Sequence, residues 1–162
     1  MKKGFTLVEL ILYVGIITIV LSALIPFAWS VIGNGVKSGV QEEVNGTARY
    51  ISERIEFEIR NASGKNSVAA NSLSLSEFNA VVDPTVISLS GGNVTLKQGT
   101  GSAVNLNPVN TFVSDLTFTN NSSGSGQTIN ISFTLTVVAT GSSRQDFQAT
   151  SSLKSSAELR SN

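Results

Sequence analysis

Apolar and polar positions follow three successive patterns along this chain. The first is an unbroken apolar run: no charge occurs between Glu9 and Lys37, a stretch of 27 positions, Leu10 to Val36, that contains ILYVGIITIVLSALIPFAWSVI. A helix rises about 1.5 Å per residue, so roughly 20 residues cover the ~30 Å hydrocarbon core of a bilayer, and the run predicts a membrane-crossing helix. The second pattern is amphipathic. Val40, Val44, Ala48, Ile51, Ile55, Ile59 and Ala62 recur at spacings of four and three, with Glu42, Glu43, Arg49, Glu53, Arg54, Glu56 and Arg60 on the remaining faces. This predicts that the helix continues as a spine with one buried stripe. Glu56 with Arg60, and Arg49 with Glu53, are spaced to pair across one turn, each pair contributing about 0.2–0.5 kcal/mol. Interior Gly costs about 1 kcal/mol and Pro about 3 relative to Ala, so Pro26 and the segment Gly33 to Gly39 predict a bend or a frayed section. Helical from Phe5 to about Asn61, such a rod would reach ~85 Å, with Asn61 to Gly64 as its stop signal.

The third pattern alternates. Ile129, Ile131, Phe133, Leu135 and Val137 interleave with Asn130, Ser132, Thr134 and Thr136, which predicts a half-buried strand whose apolar face meets the helix. Ile87 and Leu89, then Gly91-Gly92, then Val94 and Leu96 predict a tight hairpin, because two glycines accept the positive φ of a primed turn. Phe112 to Phe118, Phe147 to Leu153, and Leu73 with Leu75 supply further strands. The segment 120–127, NNSSGSGQ, reads as a flexible loop, and Ser155 to Asn162 as a loose tail. From Gly64 onward 99 residues remain, enough for a modest core against the stripe. The expected fold is α+β: a long N-terminal helix packed on a mostly antiparallel β-sheet.

Composition narrows the chemistry. The 162 residues include 11 Lys+Arg, 11 Asp+Glu, no His and no Cys. Imidazole and thiolate catalysis, Cys/His zinc sites and disulfides are therefore excluded. The longest basic cluster is Lys2-Lys3, so no electrostatic footprint for nucleic acid is present and no direct nucleic-acid binding is expected. Asp83, Asp115 and Asp146 lack the close spacing of a calcium loop, and no metal is assigned. Gly99-Thr100-Gly101-Ser102 lacks the Lys and helix of a phosphate-binding loop and reads as a turn, so no nucleotide or other cofactor is expected. An enzyme would need a cleft with converging carboxylates, which the spacing of acidic residues does not show.

Lys2 and Lys3 precede the apolar run and no basic residue follows until Lys37; the positive-inside bias therefore predicts a single pass with Met1 in the cytoplasm and the bulk of the chain outside. The run continues through Pro26 and Trp29 without a convincing small-x-small site, which argues against a cleavable secretory signal. Glu9 fits neither a signal nor a plain anchor. An ionised acid costs ~2.5 to 3.5 kcal/mol at the centre of a membrane helix. Either it is hydrated at headgroup depth, or another chain supplies a cation.

The residues Gly4-Phe5-Thr6-Leu7-Val8-Glu9, behind a short basic leader and ahead of about twenty apolar residues, closely resemble the N-terminus of type IV pilins and type II secretion pseudopilins. That resemblance implies a leader at 1–4 cut after Gly4 by a membrane prepilin peptidase, and N-methylation of the new terminus, Phe5, by the associated N-methyltransferase. It also implies contact between Glu9 and a neighbouring subunit's terminal amine, which makes Glu9 a subunit-assembly residue. Pro26 falls where these helices commonly carry a proline and is the expected kink; Thr18 departs from the Gly of many major pilins. The implied division is 5–36 as transmembrane and filament-core helix, 37–62 as amphipathic spine and 63–162 as β-rich domain. The implied partners are other pilin or pseudopilin subunits, the processing enzyme, an inner-membrane assembly platform and, before assembly, membrane lipid. The implied location is the inner membrane and then a periplasmic or extracellular filament. Tyr13 and Trp29 are either membrane-interface anchors or filament-packing residues.

Electrostatics agrees with that resemblance. Cutting after Gly4 removes Lys2 and Lys3, leaving 11 − 2 = 9 Lys+Arg against 11 Asp+Glu, and creates an amine at Phe5. In staggered parallel helices each amine can meet the next chain's Glu9; at ~4 Å and an effective dielectric near 20 the attraction is about 4 kcal/mol, partly offset by desolvation. The segments RYISERIEFEIRNAS, VNTFVSDLTFTN and DFQATSSLK resemble minor pseudopilins of the J type, which would make the chain a low-copy subunit that helps initiate assembly. Two other readings remain: a major or accessory type IV pilin, and an exported adhesin or binding module tethered by an uncut anchor that does not polymerise.

Overall fold

Thr6 stops the extended N-terminus and starts a helix. Its backbone is extended, its side chain accepts the Glu9 N–H at 3.3 Å, and α1 (Leu7–Asn61) follows for 55 residues. The computed structural model describes residues 4–122, 129–141 and 147–159. At its other end α1 closes with the Asn61 side-chain amide donating to the Phe57 carbonyl (2.9 Å) and the Ala62 N–H donating to the Glu58 carbonyl (3.1 Å). The helix is continuous through Pro26, and residues 33–39 are helical where the glycines predict fraying. Once a helix is nucleated each residue adds one hydrogen bond, so scattered glycines between long helical turns do not open it.

Two antiparallel sheets follow, each a meander in chain order. The five-stranded sheet comprises β1 (Gly64–Ala69), β2 (Ser72–Ser76), β3 (Thr85–Ser90), β4 (Asn93–Gln98) and β5 (Val104–Asn105); the three-stranded one comprises β6 (Thr111–Asn120), β7 (Asn130–Ala139) and β8 (Thr150–Glu158). The helix packs on β7 and β8. The sheets are tied together where the Phe118 N–H donates to the Ala70 carbonyl and the Val113 N–H to the Gly92 carbonyl, both at 2.9 Å. The helical stripe Val44, Ala48, Ile51, Ile55, Ile59 shares one buried core with Leu73, Leu75, Ile87 and Val94 of the first sheet and Ile131, Phe133, Leu135 and Val137 of the second.

The Gly91-Gly92 hairpin forms as expected, with φ of 56° and 80°. Gly92 is further constrained because a Cβ there would collide with the Phe112 ring. Asn107 clasps the two sheets: its Oδ1 accepts the Val94 N–H (2.9 Å) and its Nδ2 donates to the Thr111 carbonyl (3.0 Å).

Several expectations need correction. The expected helix on antiparallel strands is present, but the strands form two sheets, β6 to β8 pairing among themselves and not with the first meander. The strand expected from Phe147 starts at Thr150, and the tail expected to be loose from Ser155 is strand up to Glu158, with Ala157 and Leu159 buried. Small side chains cause this: the Ser155 hydroxyl donates to Glu56 Oε1 at 2.7 Å, so Ser and Ala let the strand lie close under the helix without large apolar residues to announce it. Strands β1 and β5 have no counterpart among the predicted elements. Arg60 pairs with Glu56 at 3.0 Å, but Arg49 and Glu53 do not pair; Arg54 with Glu58, at 2.6 Å, is the other ion pair among the described residues. Residues 123–128 of the expected loop, residues 160–162 of the tail, and Asp146 lie outside the described residues.

Candidate functional site

The N-terminal segment carries the sequence-predicted site residues, and its local structure follows from the cap. Gly4 and Phe5 precede the helix in non-helical, exposed backbone, with nothing within 4 Å of where a Gly4 Cβ would stand. The Gly4–Phe5 peptide bond is therefore outside any helical hydrogen-bonding pattern. Glu9 sits in the first turn, where the partial positive charge of the helix N-terminus favours a carboxylate by about 0.3–1 kcal/mol. Glu9 is exposed and has no ion-pair partner among the described residues. The Phe5 ring meets Tyr13 edge-on, with centroids 6.1 Å apart and planes at 64°.

The first half of the helix exposes almost everything it has. Leu7, Phe27 and Trp29 are 74%, 66% and 69% exposed, and no described residue before Val44 is buried. Two of the hydroxyls in this half are satisfied internally, Thr18 donating to the Val14 carbonyl (2.8 Å) and Ser22 to the Ile19 carbonyl (2.7 Å), so these two do not require water. Pro26 lacks an N–H, which removes one helical bond to the Ser22 carbonyl. The helix is long and apolar enough to cross a membrane, and an apolar surface this large requires lipid or other protein around it.

Residues 1–25 match the family model described as the Prokaryotic N-terminal methylation motif. The chain carries the type IV pilin and pseudopilin signature. No curated protein and no solved structure matches the chain. The signature covers residues 1–25 of 162, and the architecture behind it, one long helix on antiparallel sheets, is pilin-like. Signature and apolar helix together fit the membrane anchoring of a pilin; the signature points to a structural subunit and implies other pilin subunits and prepilin peptidase processing.

The remaining candidates from the sequence resolve into turns and surface contacts. Asp83 accepts the Glu77 N–H at 3.0 Å and Asp115 the Thr117 hydroxyl at 2.9 Å. Gly99 to Ser102 forms a turn in which the Gly101 N–H donates to the Gln98 carbonyl at 3.0 Å. Sequence reasoning missed the Thr6 cap, although a Thr three residues ahead of Glu before an apolar run is a signal for one. It also missed Glu58, which lies on the buried side of the spine at 3% exposure. The i,i+4 spacing to Arg54 was the available signal.

Proposed function

We propose that this chain is a structural subunit, a minor pilin or pseudopilin, of a type IV filament system. In this reading residues 1–4 are a leader removed after Gly4, Phe5 is N-methylated, and Glu9 sets the register between neighbours by pairing with the amine at Phe5 of an adjacent subunit. Residues 5–36 anchor the chain in the inner membrane, N-terminus inward, and later line the filament core; Pro26 bends that segment. Residues 37–62 form the spine of the β-rich domain, 63–162, on the far side of the membrane. The assembly platform and surrounding lipid are the partners before polymerisation, and a low-copy, J-like role at the start of assembly is the finer form of the proposal.

The observation that carries it is the coincidence of the methylation motif at 1–25 with a helix whose first half is unburied among the described residues. Glu9 has a reason in this reading: a carboxylate exposed and unpaired among the described residues, at the head of an apolar helix, is complemented by a processed terminus of another copy. Intact-mass spectrometry of membrane-extracted protein tests it. A mature chain beginning at methylated Phe5 is expected; a chain that retains Lys2 and Lys3 favours the tethered, non-polymerising module.

A further inference from the structure

Charge is spread unevenly over the β-rich domain. Lys65, Glu77 and Lys97 lie toward the end of α1: Lys65 follows the helix closely in sequence, Ser76, beside Glu77, accepts the Ser63 N–H at 2.8 Å, and Gln98, beside Lys97, donates to Glu58 at 3.4 Å. The other end of the domain is made differently. The described residues 86–96, 98–114, 129–141 and 147–153 carry no charge, and the turns within them are joined to one another. The Val113 N–H donates to the Gly92 carbonyl at 2.9 Å, the Thr140 N–H to the Asn110 carbonyl at 2.9 Å, and the Ala139 N–H to the Ala149 carbonyl at 3.0 Å. On this uncharged end Val109 is 98% exposed and Phe112 45%.

The uncharged end is also the one nearest the apolar run. The Gln41 amide donates to the Thr150 carbonyl at 3.4 Å, and the Asn110 amide donates to the Glu43 carboxylate. Gln41 and Glu43 follow Val36 closely, so these contacts stand only ~8–10 Å along the helix from the last apolar position, whereas Ser63, beyond the far end of α1, stands ~40 Å from it. The run from Leu10 to Val36 is itself ~40 Å long against a hydrocarbon core of ~30 Å, and tilting takes up such a surplus. Lys37 lies two turns before Val44, on the helical side that carries the buried stripe and hence the domain; Glu42 lies about 140° round the helix from Lys37. A tilt toward the domain therefore lowers Lys37 and the uncharged end together and raises Glu42.

An end wall without charge enters a headgroup layer with little loss of hydration, and an exposed Val and Phe gain there, while the charged end of the domain would lose its water. We infer that, before assembly, the uncharged end of the β-rich domain rests on the surface of the phospholipid bilayer that its own anchor crosses, with Val109 and Phe112 in the headgroup layer and Lys37 toward lipid phosphates. This seating presupposes the membrane-crossing segment proposed above.

The full chain is reconstituted in nanodiscs of phosphatidylethanolamine and phosphatidylglycerol. Trp29 is the single tryptophan of a chain without cysteine, so its quenching by acyl-brominated lipid reports the anchor alone. A fluorophore attached at Val109→Cys, or in a second sample at Ser63→Cys, reports the domain through quenching by lipid that carries a nitroxide on its headgroup. Quenching of Trp29 is expected, together with quenching several-fold stronger at position 109 than at 63. Quenching of Trp29 with the two labels quenched alike overturns the seating and leaves the anchor standing; an unquenched Trp29 overturns both. Because a label has its own affinity for lipid, and because a variant can fold poorly, gadolinium chelated to the headgroups reads the wild type in the same discs. Faster relaxation of the backbone amides of residues 109–112 than of residue 63 supports the seating, and equal relaxation overturns it.

Discussion

The two halves of α1 are one continuous helix with opposite relations to the rest of the chain. From Leu7 to Ile32 every residue is exposed, whereas from Val44 to Ile59 the residues Val44, Ala48, Ile51, Ile55 and Ile59 are almost fully buried against two sheets. The backbone is the same; the solvent differs. An apolar residue in the second half contributes to the fold of its own chain, and in the first half only to whatever surrounds it.

The sharpest way to break that comparison is to make like truncations in the two halves. Ile55→Ala is expected to cost about 2–5 kcal/mol, by lost transfer energy and a residual cavity, in thermal or denaturant unfolding of the β-rich domain. Leu24→Ala, at a position 51% exposed, is expected to leave that unfolding within about 0.5 kcal/mol of the wild type. Equal effects at the two sites would show that the first half packs on its own chain after all.

The next effect in size belongs to Glu9. Glu9→Gln is expected to reduce filament assembly at least about tenfold, equivalent to roughly 1.4 kcal/mol, while the β-rich domain melts as before. Counting assembled against membrane-pool subunits gives the answer; undiminished polymerisation would remove the register role. The smallest effect is that of the cap. Thr6→Ala leaves the first helical N–H groups without their side-chain acceptor, at a cost of about 1 kcal/mol confined to the first turn. Backbone chemical shifts of residues 7–10 in micelles should report fraying there and none at residues 44–59.

These contrasts follow how legible each region was in the sequence. Both helical halves are written locally: a charge-free run and a three-four stripe need no knowledge of what lies opposite. The same holds for β7, with its four alternating apolar residues Ile131, Phe133, Leu135 and Val137, and for the hairpin, whose two glycines are demanded by the turn itself. Strand β1, GKNSVA, has no such alternation. It is a strand because β2 lies beside it, with a register shift between Lys65 and Ser67. The end of β8 is buried through Ser155 and Ala157, whose smallness suits a close helix but resembles a polar tail when read alone. The joint between the two sheets includes Asn107, a residue that looks like any loop asparagine until its partners Val94 and Thr111 are known. At the N-terminus, Gly4, Phe5 and Glu9 were readable because they fall within a local motif, at residues 1–25, that does not depend on tertiary contacts. Glu58 was not, since its setting arises only when the end of the helix meets Gln98 of β4.

The unbroken course of α1 has a mechanical consequence. A pull along its axis is carried in series by the backbone of one rod, from Leu7 to Asn61, while the two meanders hang on its flank and take little of the tension. Outer strands and turns can therefore change in sequence, and in what they touch, without weakening the rod itself.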